Sequence, residues 1–453
     1  MSCSVQPFGG SRGAISGRVA LYVALSLIVV SGLALLALRS RSISGVPTID
    51  NPRFEQEPPQ VDDRLLPSVL RYDSALEEYA GRVCFGLVLE TRGGIPVRVL
   101  NLTAVRPELG SSLADFVAND GFELAEQLVD PALRQPYLDL IESFEARALG
   151  PVVKPPVDLS FDQLEVEERF VIGVGFNYAA HREETDMAVD AFLFPKFVEP
   201  TGAYAPVALG RGIVPAVETA RLVDYEAEIG FVLLEDVDLD DPPTDREAFK
   251  EKIAFFVAND VSDRWPQIRE GEPGYTRAKS RPTYLPIGPW MIHGRQLDLR
   301  TRSGGERSMR LWLRVEEADP QPGGSWRQNS SSAQMIRGPL EIVQMVAELH
   351  RESRQRDGAG VLRSVARVDD GRVTIPAGSL FLTGTPEGTA IEAPTGWDRA
   401  RLLARGNLTV PGARLEFALH AVRHREEMGF LDIGDTVETC GESLGCQRWI
   451  VVP

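Results

Sequence analysis

The chain is short of cysteine, short of positive charge, and holds a single long apolar run. Its four cysteines, Cys3, Cys84, Cys440 and Cys446, are too few for a disulfide framework in 453 residues and lack the spacing of a zinc site. No cysteine or histidine cluster competes for a soft metal. Cys440 and Cys446 flank Gly-Glu-Ser-Leu-Gly and could pair if that segment were a hairpin in an oxidising compartment, but two free thiols are the expectation. Acidic residues outnumber basic ones by 65 to 48, a formal charge of −17, and no basic patch reverses the excess. Phosphate backbones would be repelled by such a field, so no nucleic-acid partner is expected. A 43% hydrophobic and 25% charged composition is that of an ordinary globular protein, long enough here for two or three domains.

The apolar run Val19–Leu38 carries no charge, and twenty helical residues rise about 30 Å, the thickness of a bilayer core. It is expected to be one transmembrane helix behind a tail of residues 1–18, making a single-pass membrane protein. Arg12 and Arg18 before it nearly balance Arg39 and Arg41 after it, which leaves the side of the catalytic part open. Residues 39–68, broken by Pro47, Pro52, Pro58, Pro59 and Pro67, read as an extended linker. Residues 69–165 are expected to form a small α+β domain. In it, Val83–Leu89 and Ile95–Leu100 make a hairpin about Gly93-Gly94, and Ser111-Ser112 caps a helix. Tyr137, Leu138, Ile141 and Phe144 repeat at helical spacing before Gly150. No catalytic pattern is present in that segment, which leaves residues 166–453 for the chemistry.

There, Asp224-Tyr-Glu-Ala-Glu228 runs into the apolar stretch Ile229–Leu234. Two residues apart on a strand, Glu226 and Glu228 face the same way, and like charges side by side are tolerated mainly with a cation between them. A second apolar run, Ile253–Ala258, ends in Asn259-Asp260 and offers a third oxygen ligand from a neighbouring strand. An all-oxygen set suits Mg²⁺, or Mn²⁺ or Ca²⁺, better than zinc. Upstream, the strand Phe170–Gly175 opens a loop carrying Tyr178, His181 and Glu184. On a helical turn Glu184 can hold the His181 imidazole as a base.

In order along the chain come Gly175-Phe-Asn-Tyr-Ala-Ala-His-Arg-Glu-Glu184, Phe194-Pro-Lys196, Asp224–Glu228 and Asn259-Asp-Val-Ser-Asp-Arg264. Lys279, Gly288-Pro-Trp290, Arg327-Gln-Asn329 and Thr383-Gly-Thr-Pro-Glu-Gly388 follow. This ordered set resembles the fumarylacetoacetate hydrolase family from about Phe170 to the C-terminus. The resemblance implies a mostly β catalytic fold with some α, often behind a small β-rich N-terminal domain, and a homodimer. It implies that His181 and Glu184 activate water, that Lys279 stabilises an enolate, and that Glu226, Glu228 and Asp260 bind the metal. Tyr178, Arg264, Gln328 and Thr385 fall on its substrate side. The implied substrate is an acylpyruvate or fumarylacetoacetate-like 2,4-dioxo acid whose carbon–carbon bond is hydrolysed in catabolism. Isomerases and decarboxylases of the family share the metal-stabilised enolate, and a membrane-anchored binding protein without turnover is the alternative from another class.

The sequence departs from the family pattern at Ser379, where an Asp is usual, at Trp265, where an acid commonly follows the Arg, and at Glu387, where the turn usually has a small residue. Ile391–Met428, with Trp397, His420 and His424, reads as an insertion. These departures bear on the substrate more than on the chemistry. A helix starting near Pro339 and a strand over Met309–Val315 are expected as scaffold.

Overall fold

The computed structural model describes residues 31, 34–39, 66–144, 170–184, 190–210, 219–271, 274–318, 324–356, 364–369, 372–394 and 396–453. The chain divides into two compact units, Met1–Gly45 with Pro394–Phe417, and Val46–Ala393 with Ala418–Pro453.

In the first unit, the helix Gly396–Arg405 has one of its last carbonyls answered by an arginine, as helix ends require. Arg39 Nε donates to Ala404 O at 2.6 Å, and its Nη2 donates to Asn407 Oδ1 at 3.0 Å. Most of the expected transmembrane run Val19–Leu38 lies outside the described residues; those described in it are 31 and 34–38. Among the described residues no helix is long and apolar enough to cross a membrane. The expectation of a single-pass membrane protein, and of the membrane as partner, is corrected on that finding. Hydropathy of a run identifies a span only when the helix it forms reaches about 20 residues.

The second unit is built on two main sheets, with a three-stranded and a two-stranded sheet beside them among the described residues. Among the described residues the larger runs in the order Ile141–Ser143, Ile95–Asn101, Val83–Arg92, Ser68–Asp73, Met291–His293, Ile253–Asn259, Ala227–Leu233, Leu380–Leu382, Val171–Gly175, Phe192–Pro195. The smaller runs Ser325–Ser331, Arg310–Glu316, Thr436–Gly441, Gly445–Val452, Val207–Ala208. The expected hairpin forms, and Val69 pairs with Met291, so the leading strands extend the sheet that carries the carboxylates. Ser112 caps Leu113–Ala118, its Oγ accepting from Asp115 N at 3.1 Å. This helix and Gly121–Leu128 bury Leu113, Phe116, Phe122 and Leu128 in the main core with Phe85 and Phe256. The helix Pro339–Arg356 starts at its proline, whose missing N–H costs nothing there.

Ala227–Leu233 and Ile253–Asn259 are buried at every position, so the pair lies inside the molecule and has no wet face. On one side Val232, Ala254, Phe256 and Ala258 join the main core. On the other, Phe231 stacks on Phe381 with centroids 4.6 Å apart.

Two local expectations change. Residues 137–144 are not one helix: a 3-10 turn over Gln135–Leu140 leads into the strand Ile141–Ser143, which pairs with Arg98–Leu100. That strand delivers Glu142 to buried donors, the Tyr72 hydroxyl, Ser74 Oγ at 2.8 Å, Ala75 N at 2.6 Å and Asn101 Nδ2 at 3.1 Å. Satisfying a buried carboxylate outweighs the helical spacing of its apolar neighbours. Cys440 and Cys446 are not free thiols but a disulfide, because the strands Thr436–Gly441 and Gly445–Val452 place them directly opposite each other, Cα to Cα 4.1 Å.

Close packing at the carboxylate-bearing pair is testable at Gly230, where an added Cβ would meet the Phe256 ring at 2.3 Å. Gly230→Ala should destabilise the protein by about 1–3 kcal/mol through overpacking, read as a lower denaturant midpoint at unchanged m value.

Candidate functional site

The antiparallel register sets the geometry. Glu228 lies opposite Ala258, and Asp260 N donates to Glu226 O at 2.9 Å, so Glu226, Glu228 and Asp260 share one face at the end of two central strands. All three are buried, and one oxygen of each lies within 4.8 Å of the others. Three carboxylates this close cannot all ionise in a dry site without cations.

Lysines and an arginine answer two of them. Lys279 Nζ donates to Glu226 Oε2 and Asp260 Oδ2, both at 2.6 Å, and to Ser262 Oγ at 2.9 Å. Lys196 pairs with the other oxygen of Asp260 and donates to Tyr284 O at 2.6 Å. Arg264 pairs with Glu226 and donates through Nε to Asp224 Oδ2 at 2.7 Å. Burial opposes the charge of Glu226, but Lys279, Arg264 and His181 more than offset it and hold that carboxyl at about 2. Lys279 is pushed up in turn: burial would lower it, and Asp260 and Glu226 reverse the effect. Burial lowers Lys196.

Glu228 differs. Its hydrogen-bond donor is the Gly384 amide, at 2.6 Å to Oε2, and among the described residues no Lys, Arg or His pairs with it. Burial, then the charges of Asp260 and Glu226, push it well above the ordinary carboxylate range. A buried oxygen trio with one anion lacking a counter-charge fits a hard divalent cation, and Glu226, Glu228 and Asp260 are the residues that would hold it.

The remaining expected site residues fall nearby, in different roles. His181 is buried on the helix Ala179–Glu184, near enough to Glu226 to bear on its charge, with the Phe176 ring 5.9 Å away. Glu184 is on the same helix three residues on; its side chain lies outside the described residues. The Tyr178 hydroxyl is buried and makes no hydrogen bond. Gln328, by contrast, is bonded within the protein: Oε1 accepts from Ala227 N at 2.8 Å, and Nε2 donates to Thr385 Oγ1 at 2.8 Å and Pro386 O at 3.0 Å. Thr385 Oγ1 also donates to Ala227 O at 3.1 Å. Arg264 spends its third nitrogen on Gln267 Oε1, at 2.8 Å. These three brace the carboxylates, whereas Tyr178 presents an open donor. Reasoning from sequence named no role for Lys196, Asp224 or Asn259, although all three stand in the quoted motifs. Asn259 Oδ1 accepts from Glu226 N at 3.1 Å, and its Nδ2 donates to Thr439 Oγ1 at 2.9 Å.

An acid trio at the end of buried strands, bridged by a lysine, defines a class of mostly β protein with a candidate hard-cation site. The model for the family described as fumarylacetoacetate (FAA) hydrolase C-terminal matches residues 170–452, and the chain belongs to that family. A protein of Burkholderia multivorans named "Putative hydrolase" is 26% identical over 226 residues, which are 49% of this chain and 62% of that relative. Among solved structures, a fumarylacetoacetate hydrolase from psychrophilic Exiguobacterium antarcticum aligns with 85% of this chain and 99% of its own, at 20% identity and a TM-score of 0.48. A 5-carboxymethyl-2-hydroxymuconate delta-isomerase from Mycobacterium smegmatis aligns over 85% and 99%, at 18% identity and a TM-score of 0.44.

Metal affinity provides the test of this site. Glu226→Gln, Glu228→Gln and Asp260→Asn should each weaken Mn²⁺ binding by about tenfold or more, roughly 1.4 kcal/mol, in calorimetric titration. With Glu228 raised, its neutral form stabilises the metal-free protein at low pH, and that contribution is lost as pH rises through the raised value. Ion binding needs the anion, so affinity should climb by about tenfold per pH unit below that value and then level off. Unchanged affinity in the double variant of Glu226 and Glu228 would return both to a purely structural role.

Proposed function

We propose that the protein is a metal-dependent hydrolase that cleaves a carbon–carbon bond in an acylpyruvate-like 2,4-dioxo acid. The reading is supported above all by Lys279, which holds Glu226 and Asp260 together in a dry site beside His181. A bound divalent ion, Mg²⁺ or Mn²⁺, would supply Lewis-acid polarisation of the substrate's keto and carboxylate oxygens. His181 takes a proton from water at a ring nitrogen, and Glu184, three residues on along the helix, orients the imidazole. Lys279, its ammonium form favoured by Asp260 and Glu226, stabilises the negative charge that develops on the departing enolate oxygen. Arg264, Gln328 and Thr385 keep the carboxylate-bearing strand in register, and Tyr178 donates to a substrate oxygen.

A second reading, isomerisation or decarboxylation through the same enolate, rests on Lys279 and the acid trio standing complete without the His181 and Glu184 pair. Oxaloacetate decarboxylation tests it, since loss of carbon dioxide needs an enolate and no attacking water. With Mg²⁺ present, acylpyruvate should be the faster substrate, and His181→Ala should lower its hydrolysis by about 10²–10⁴-fold while Mn²⁺ affinity stays near that of the parent. Faster turnover of oxaloacetate would favour the second reading. Hydrolysis at the parent rate in His181→Ala would remove the general-base role.

A further inference from the structure

A hairpin of the smaller sheet reaches across to the acid-bearing strands. Thr439 and Gln447 face each other directly on its strands Thr436–Gly441 and Gly445–Val452, and both are fully buried. Each grips the end of Ile253–Asn259: Thr439 Oγ1 accepts from Asn259 Nδ2 at 2.9 Å, and Gln447 Nε2 donates to Val257 O at 2.7 Å and to Pro286 O at 3.1 Å. One residue along, the Cys440–Cys446 disulfide joins the next facing pair and fixes how Thr439 and Gln447 stand to each other. The tip beyond is held as well, Ser443 O accepting from Trp290 Nε1 and Gly94 O from Cys446 N, both at 2.9 Å. The covalent bond and these contacts leave the hairpin one register.

The grip passes through one side-chain amide to the carboxylates. Asn259 Oδ1 accepts from Glu226 N at 3.1 Å, and the next residue closes the pair, Asp260 N donating to Glu226 O at 2.9 Å. Two of the three acids therefore move with Asn259. Glu226 N is a donor only and requires Oδ1, which turns Nδ2 toward Thr439 and makes the hydroxyl its acceptor. Asn259 is fully buried, so a residue without that oxygen at 439 would leave an Nδ2 hydrogen unsatisfied in a dry interior and take away the second anchor of the amide.

We propose that Thr439 is a positioning residue for the acid trio: through the Asn259 amide, and kept in place by the Cys440–Cys446 disulfide, it fixes Glu226 and Asp260 and so sets the affinity for a divalent ion. The proposal rests on the cation-site reading above and adds a control that lies outside the ligands. In the full chain, the isosteric Thr439→Val should weaken Mn²⁺ binding by about tenfold in calorimetric titration, and Thr439→Ser, which keeps the hydroxyl, should stay within about twofold of the parent. The double variant Cys440→Ser with Cys446→Ser leaves Thr439 itself intact and should weaken Mn²⁺ by about threefold. Hydrogen exchange of the metal-free protein gives a second readout: the Glu226 amide should exchange about tenfold faster in Thr439→Val, with the amides of Ile229, Gly230 and Phe231 unchanged. Mn²⁺ affinity in Thr439→Val within about twofold of the parent, or an equal loss in Thr439→Ser, overturns the proposal. Unchanged affinity in the cysteine variant overturns the part given to the disulfide. If the parent binds no Mn²⁺, it is the cation reading that fails, and exchange alone decides whether Thr439 positions Glu226. No change at the Glu226 amide, or faster exchange along the whole strand, then overturns it.

Discussion

Everything at this site follows from keeping three carboxylates out of water at the ends of two fully buried strands. Placing one such anion in a dry interior costs several kcal/mol even after relaxation, and neighbouring anions add to the cost. The protein offsets it with cations drawn from three separate elements. Lys196 arrives from the strand Phe192–Pro195, Lys279 from the end of the helix Gly274–Lys279, and Arg264 from the start of the helix Arg264–Glu270. The fold around the site is largely a means of bringing those three charges to one place.

The compensation is uneven, and the unevenness carries information. Glu226 is held strongly anionic, whereas Glu228 is left with an amide donor and two repelling neighbours. A scaffold selected for stability alone would gain from an apolar residue at 228, since a buried acid without a counter-charge is destabilising. A buried acid there is what the cation-binding role proposed for Glu228 would require.

Much of the site was legible in the sequence because period-two spacing on an apolar run fixes which side chains share a face. The shared face of Glu226 and Glu228 follows from that rule, Asp260 from the end of the next apolar run, and the helix start at Pro339 from backbone chemistry. Long-range partners left no local signal. Nothing near Lys196 in sequence says that its ammonium meets an acid 64 residues away. Glu142 misled for a related reason: apolar spacing suggested a helix, and the deciding donors, Tyr72, Ser74 and Asn101, lie on other strands or just beyond their ends. Gln328, Thr385 and Arg264 are placed on the substrate side by resemblance, and the hydrogen bonds that tie each of them within the protein left no local signal either.

The amide of Gln328 belongs to the smaller sheet yet grips both the first residue of the acid-bearing strand and the turn that donates to Glu228. Asn259, through Thr439, binds the same two sheets a second time. The acid trio is thus not a portable cassette: a hairpin cut from residues 227–259 and grafted into another host would leave its geometry behind with the strands that hold it. For anyone recombining such proteins, the natural crossover points lie outside both sheets, and the pair of sheets is the smallest unit that can be inherited whole.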